Sequence, residues 1–369
     1  RRGAQGLERH TQAVNIDRPL LTRGFEGAAA AAKTAEDLGY DGVFTFEGPH
    51  TPFFPLVAAA GATSRIALST GVAIALARNP MIVASESHDL QVASGGRFAL
   101  GLGPQVRAHI EKRFGAPASR PAARMRDFVS ALRAIWACWN DGVPLRYEGE
   151  FYRHTLMTPM FQPGASPHGP PPVLLAGVGP AMTRVAAEVA DGIVVHPFHT
   201  RRSLEQVTLP AIDEGLRRAQ RDRGAFRIVV QVLAVTGTDE NAYRAAREAT
   251  RAQIAFYAST PAYSPVLHAE GADSLQPQLR DLSKQGRWNE MAALVDDALL
   301  DRVAICGEPA AVGREIVARY GALATRVALA SPFEIPAGAA ATLIDAAHAA
   351  SSPVLRPTGV TTRKVFAQP

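Results

Sequence analysis

From residue 13 onward, short apolar runs alternate with longer stretches whose apolar residues recur three or four positions apart. The first kind of run suits a strand buried on both faces, and the second suits a helix. The strand candidates are residues 13–17 (AVNID), 42–46 (GVFTF), 65–75 (RIALSTGVAIA), 97–102 (RFALGL), 173–176, 192–195, 226–235 (FRIVVQVLAV) and 326–330. A further short run covers 303–306. Helical spacing covers 24–38, which Gly39 closes as a left-handed cap, 53–64, and a stretch from Pro80 to Gly95-Gly96. It continues over 121–139, 180–190, 200–223, 239–257 and 308–320.

Eight apolar strands, each followed by a helix, predict a parallel sheet covered on both sides. Eight is also the number that closes a (β/α)8 TIM barrel, with a doubly wound open sheet as the runner-up. Two stretches break the rhythm and read as insertions in one domain spanning 13–350. Residues 141–171 are rich in Pro and Gly, with a hairpin expected around 148–152, and residues 261–300 hold helical pieces at 274–285 and 288–300. Residues 1–12 read as an N-terminal extension expected to be disordered, and 351–369 as a C-terminal tail.

Composition narrows the function classes. The chain has 369 residues, 47% hydrophobic and 20% charged, which suits a large packed core. The net charge is +5, yet the basic residues are spread along the chain, and Lys occurs only at Lys33, Lys112, Lys284 and Lys364. Nucleic-acid binding would need basic residues clustered with aromatics between them, so no nucleic-acid partner is expected. Arg1-Arg2 matches the start of a twin-arginine export signal, but a polar GAQGLERHTQ follows where an apolar core is required. No apolar run reaches the length of a membrane span. The two cysteines, Cys138 and Cys306, cannot form a disulfide framework or a zinc site, so a cytoplasmic location is expected.

The densest motif is PVLLAGVGPAMTRVAAEVADGIVVHP, residues 172–197. A dinucleotide fingerprint would need a third glycine, where Met182 stands, and an acidic residue at the end of the next strand, where His196-Pro197 stands. In a barrel, a glycine turn that opens a helix presents free N–H groups and the positive end of the helix dipole to an anion. A bulky residue at Gly177 should then weaken ligand binding more than folding. The alternative reading is a tight turn and nothing more.

The segments AEDLGYDGVFTFEGPHTPF, RIALSTGVAIALARNPMIVA, SGGRFALGLG, LLAGVGPAMTRVAAEVADGIVVHPF and CGEPAAVGREI, in this order and spacing, resemble the bacterial luciferase-like superfamily of flavin and deazaflavin oxidoreductases. The likeness runs from about residue 13 to residue 332 and is strongest to the members that depend on coenzyme F-420. It implies a (β/α)8 barrel whose cofactor lies over the C-terminal mouth. It implies that Gly177, Val178, Gly179 and Pro180 hold the cofactor phosphate. It also implies a bulge after strand three, within Ala73, Ile74 and Ala75, that backs the ring and often contains a non-proline cis peptide. One departure is that several relatives carry a carboxylate just after strand four, where this chain reads Gly103-Pro104-Gln105-Val106.

A deazaflavin performs the hydride chemistry itself, so the protein must position it and offer a proton donor to a small-molecule substrate. Glu47 and His50 follow strand two, where relatives often have an acidic residue and a histidine. A carboxylate beside His50 would raise its pKa and keep it charged. His109 is a further candidate beyond strand four, and Gln105 could hydrogen-bond a ring carbonyl. His196 is expected to border the cofactor, since the His196/His199 pair lacks a third ligand and suggests no metal. Phe46, Phe53 and Phe198 are candidates for the pocket. Phe128, Trp136 and Trp139 read as helix packing, His88 as a packing or helix-surface residue, and Asp89 with Arg97 as a structural ion pair. FMN in a monooxygenase is the alternative cofactor, and a barrel that binds flavin or deazaflavin without turnover is the second alternative. A homodimer is expected because dimers are common among the relatives.

Overall fold

The computed structural model describes residues 14–21 and 25–351. The extension 1–12 and the tail beyond Ser351 lie outside the described residues. Eight parallel strands form a closed ring: β1 (Asn15–Pro19), β2 (Gly42–Thr45), β3 (Ala67–Thr70), β4 (Phe98–Gly103), β5 (Val173–Gly177), β6 (Gly192–Val195), β7 (Arg227–Val232) and β8 (Arg326–Leu329). β1 pairs with both β2 and β8, and β3 pairs with β4, which closes the barrel and excludes the open sheet. Phe44, Leu174, Val194, Val229 and Ala328 fill the interior, so the barrel is a packed core and not a pore.

The surrounding helices are α1 (Ala28–Asp37), α2 (Phe53–Ala62), α3 (Pro80–Ala93), α4 (Pro121–Asp141), α5 (Pro180–Val189) and α6 (Leu209–Arg218). They continue with α7 (Glu240–Ala258), α8 (Pro309–Tyr320) and α9 (Ala337–Ser351). Phe128, Trp136 and Trp139 are buried between helix layer and barrel, and the Trp136 indole donates to Ala84 O of α3 at 3.3 Å. His88 is buried edge-on against Trp139, with ring centroids 5.6 Å apart, so it is a packing residue.

Two expectations need correction. Asp89 is exposed and makes no ion pair among the described residues. Arg97 instead caps the ends of α2 and α3, donating to Ala60 O, Thr63 O, Thr63 Oγ1, Ile66 O and Ser94 O at 2.7–3.1 Å. The unpaired carbonyls of two helix ends offer this planar donor more acceptors than one carboxylate could.

The second correction concerns the long apolar run 65–75, which is not one strand. Leu68 faces Phe98, but Ala73 in the short extension Ala73–Ile74 faces Leu102, so the register slips by one residue. The extra residue makes a bulge at Gly71–Val72, and the non-proline cis peptide lies there and not within 73–75. Packing explains the position. A Cβ on Gly71 would come within 2.8 Å of Phe44, and one on Gly101 within 1.9 Å of the Thr70 carbonyl oxygen. Where the ladder is broken, the Thr70 hydroxyl donates to Gly101 O at 2.7 Å and accepts from Gly101 N at 2.9 Å.

Tyr147–Glu148 pairs with Arg153–His154 as a hairpin. After β7, the short strands Ala234–Val235 and Ile305–Cys306 pair and bracket an excursion with its own apolar core, including Leu233, Ile254, Leu267, Leu279, Leu299 and Leu300. The helix expected over 288–300 is two helices, Trp288–Ala293 and Asp297–Val303, because Asp296 accepts from Leu299 N and starts a new one.

Thr70→Val keeps the shape but leaves the buried Gly101 N–H and C=O without their partner, which should cost about 2–3 kcal/mol. Urea unfolding checks this against Thr70→Ser, which keeps the hydroxyl. Equal losses in the two variants would mean that the hydroxyl does not hold the seam.

Candidate functional site

The candidate residues lie in the segments that follow the C-terminal ends of strands, but they play different parts. Glu47 follows β2 with its side chain largely buried. Its Oε2 accepts from Ile74 N at 2.7 Å and pairs with Arg78, while its own N–H donates to Val72 O at 3.2 Å. The carboxylate therefore fastens the β3 extension, with Ala73, Ile74 and Ala75 buried behind it. His50 and His109 are both exposed, on the loop after β2 and in the short helix Arg107–Lys112. Their loops are joined by Arg113, which donates to Gly48 O at 2.6 Å.

Gln105 follows β4 with φ 61°, a left-handed conformation unusual for a residue with a Cβ. Its Oε1 accepts from Val106 N at 2.8 Å, so its amide N–H groups remain as donors. Of the three phenylalanines, Phe46 is half-exposed on the rim. Phe53 is buried in the first turn of α2, and Phe198 is buried in the core of the excursion.

The turn Gly177–Pro180 joins β5 to α5. Pro180 fills the first helical position, and Gly179 is the N-cap without a capping side chain. The N–H groups of Ala181 and Met182 donate to no group among the described residues, which leaves the positive end of α5 open. The two glycines differ. A Cβ on Gly177 would lie 3.1 Å from Thr183 Oγ1 and 3.2 Å from Ile193, so a side chain there would press on packed neighbours. Gly179 has extended dihedrals (φ −92°, ψ 160°), and a Cβ there would meet nothing within 4 Å. Neither backbone nor packing requires glycine at 179. Its absent side chain leaves space directly over the helix terminus, the cradle a phosphate needs. The expectation for Gly177 is corrected accordingly: a bulky residue there would disturb folding as well, and Gly179 is the discriminating position.

Gly177 and Val178 also line a narrow cleft shared with His196, His199, Thr208 and Val266. Part of its wall is a π-helical turn, Leu204–Thr208, an irregularity that often accompanies functional sites. His196, at the end of β6, accepts from Phe198 N at its Nδ1 (3.1 Å), which puts its proton on Nε2. His199 Nδ1 lies 2.9 Å from His196 O, and its Nε2 lies 3.0 Å from the Tyr320 hydroxyl. A carbonyl can only accept, so His199 donates from Nδ1 and Tyr320 donates to Nε2. Burial pushes His196 down to about 3 and His199 down to about 4, so both are neutral at physiological pH.

Two aromatic residues that the sequence reading did not single out complete the region. The His196 ring is 4.6 Å from that of Tyr257, at the end of α7, and 4.4 Å from that of Tyr263. The excursion that carries them is tied to the loop after β6 through Glu270, which accepts from Thr200 Oγ1 at 2.6 Å and pairs with Arg302 at 3.0 Å. The dense aromatic segment 256–263 (FYASTPAY), at the edge of an insertion, was the available signal.

Residues 5–326 match the family model described as luciferase-like monooxygenase. The chain belongs to the luciferase-like monooxygenase family. An uncharacterized protein of Mycobacterium tuberculosis is 52% identical over 280 residues, 76% of this chain and 82% of that protein. An F-420-dependent glucose-6-phosphate dehydrogenase of Intrasporangium calvum is 32% identical over 215 residues, 54% of this chain and 62% of its own length. Among solved structures, the coenzyme F-420-dependent tetrahydromethanopterin reductase of Methanopyrus kandleri has the same fold, with a TM-score of 0.74, 24% identity, and coverage of 90% of this chain and 97% of its own. No helix of this luciferase-like chain, among the described residues, is long and apolar enough to cross a membrane. Nor do those residues hold a group of three or more His, Cys, Asp or Glu suited to a metal.

The neutral, buried His199 sets a pH dependence. The unfolded chain protonates this histidine below about pH 6.5, while the folded chain resists until about pH 4, so stability is full above pH 6.5 and falls as the pH drops through that window. Wild type should lose about 1.4 kcal/mol more per pH unit than His199→Asn across the lower part of this window. Urea titrations at pH 7, 6 and 5 measure the difference, and parallel losses would mean that His199 is protonated in the native protein.

Proposed function

We propose that this luciferase-like protein is an oxidoreductase that uses coenzyme F-420, moving a hydride between the deazaflavin and a small organic substrate. The observation that carries the reading is the open space at Gly179, over a helix terminus with two undirected N–H groups. Relatives named for coenzyme F-420 support this cofactor over FMN. Gly177 to Pro180, with the amides of Ala181 and Met182, would hold the phosphate. Ala73, Ile74 and Ala75 would back the ring, braced by Glu47. Gln105 would direct its free amide at a ring carbonyl, and His196 would border the cofactor.

When bound, the deazaflavin supplies the hydride chemistry. The chain's own task is to exclude water from one side and to hold a proton for the substrate. We assign the proton to His50, with His109 on the adjoining loop, since both imidazoles are exposed where a substrate could reach them. Glu47 serves as their frame, because its carboxylate is occupied by Arg78 and Ile74 N. Cys138 and Cys306 are both free thiols, which supports a reaction in the cytoplasm.

A fluorescence titration of the purified chain with F-420 and with FMN tests the cofactor. Tight binding of FMN with none of F-420 would overturn the assignment. Gly179→Val should weaken F-420 binding by about tenfold or more, the scale of one lost charge-assisted contact, while the urea midpoint stays within error of wild type. Gly177→Val should lower both.

A further inference from the structure

We infer that the rim formed by the segment after β4, centred on Lys112 and Arg113, holds an anionic group, a carboxylate or a phosphate, on the molecule that occupies the mouth. The inference rests on the proposed oxidoreductase reading only in taking that mouth for the ligand site. Charge gives the first argument. Basic residues occur all along the chain, yet residues 107–126 hold six of them against one carboxylate, Glu111, a net +5 that equals the formal charge of the whole chain. Three of the six are spent, Arg107 on Glu111, Arg120 on Glu150 and Arg126 on Glu188. Arg124 donates to Ser119 O and lies over the Phe151 ring. Lys112 has no partner among the described residues, and the Arg113 guanidinium meets only the neutral carbonyl of Gly48 and the face of Phe114. A second basic run, 217–227, is used differently. There Arg218, Arg221 and Arg223 are taken by Glu214, by the carbonyls of Ala187 and Ala190, and by Asp213.

Place gives the second. Lys112 and Arg113 follow His109 by three and four residues, so the short helix Arg107–Lys112 and its helical C-cap, Arg113, carry all three on one side, while the Arg107–Glu111 pair takes the other. The side with the three cationic or titratable groups fronts the loop after β2, since Arg113 donates to Gly48 O at 2.6 Å, two residues before His50. The segment is also the neighbour of the turn Gly177–Pro180, because β4 and β5 are paired. No carboxylate competes there for a ligand's anion: Glu47 is held by Arg78 and Ile74 N, and Glu111 by Arg107. Arg113 keeps N–H groups free for the planar, charge-assisted bonds that carboxylate and phosphate accept, and Lys112 adds a point charge beside them. These groups are exposed, so each contributes a few-fold to affinity and loses that share in salt. Two carriers of the anion fit, a carboxylate tail on the cofactor beyond its phosphate and an acidic group on the substrate.

Two titrations of the full chain test this, one by fluorescence with F-420 bearing a single glutamate or several, the other by calorimetry with glucose 6-phosphate and glucose, with and without the single-glutamate cofactor. The expected result is that the long-tailed cofactor, the phosphorylated sugar or both bind at least about threefold more tightly than the less charged counterpart at low salt. Lys112→Glu should remove that advantage, Lys112→Arg should keep it, and about 0.5 M salt should suppress it. An advantage that follows tail length makes the cofactor the carrier, and one that follows the sugar phosphate makes it the substrate. Lys112 is exposed, so the urea midpoints of both variants should match wild type. Equal binding of both members in each pair, or an advantage unchanged in Lys112→Glu, would overturn the inference. If F-420 of neither length binds while glucose 6-phosphate binds through Lys112, the cofactor reading falls and the rim stands. If F-420 binds regardless of tail length, salt and Lys112, and glucose 6-phosphate binds no better than glucose, the rim inference alone falls.

Discussion

The closure of the barrel between β3 and β4 is the constraint on which the rest depends. A closed sheet has no edge, but closing it here needs a bulge in β3, and the bulge leaves backbone groups of β4 without ladder partners. The Thr70 hydroxyl supplies both missing bonds, and Gly101 supplies the room, because any side chain at 101 would collide with the Thr70 carbonyl. The extra residue swings Ala73–Ile74 back onto β4 one register later. Glu47 then fixes that extension from the neighbouring strand, and Arg78 fixes Glu47. One seam thus shapes the rim against which a cofactor ring would rest.

The two ends of the barrel are fastened differently. At the N-terminal end, carboxylates take the N–H groups that precede or open the strands: Glu36 accepts from Ser64, Arg65 and Ile66, Asp41 from Ile16, and Asp191 from Val173. Asp17 and Arg326 pair across β1 and β8. Those groups are spent on stability. At the C-terminal end, the amides at the start of α5, the Gln105 amide, His196 Nε2 and the Tyr263 hydroxyl have no partner among the described residues. Unspent donors concentrated on one face are what distinguishes a working end from a structural one.

Much of this was legible in the sequence, for reasons that vary by residue. Strands such as β6, with four successive buried residues, declare themselves because a strand covered on both sides has no polar alternation to obscure it. The eight-unit rhythm follows from the same property. The bulge was not legible at its true position, because Gly71 acquires meaning only from Phe44 and Gly101, distant in sequence and adjacent in space. Arg97 reads as having one carboxylate partner where it has five acceptor atoms on four residues, since carbonyl acceptors at helix ends leave no trace in side-chain chemistry. Gly177 and Gly179 look alike in a Gly-x-Gly. Only the surroundings separate a glycine that its neighbours require from one that faces open space. Tyr257 and Tyr263 were hidden for a related reason: an insertion follows no barrel period, so nothing in the spacing said which of its aromatics turn back toward the mouth.

The two halves of the mouth differ in the charge they can accept, and that difference separates their duties. The α5 terminus offers N–H groups and a positive dipole end to an anion, and its first turn, Pro180–Thr183, carries no charged side chain. Along the same cleft, the neutral His196 and His199 penalise charge. A phosphate bound at the α5 terminus, as proposed, would lose its solvation on moving toward His196. The same logic explains why His196 must be neutral: a protonated imidazole between the two halves would draw the phosphate across. The bond from Phe198 N to its Nδ1, made by the backbone that ends β6, enforces that state through the fold itself.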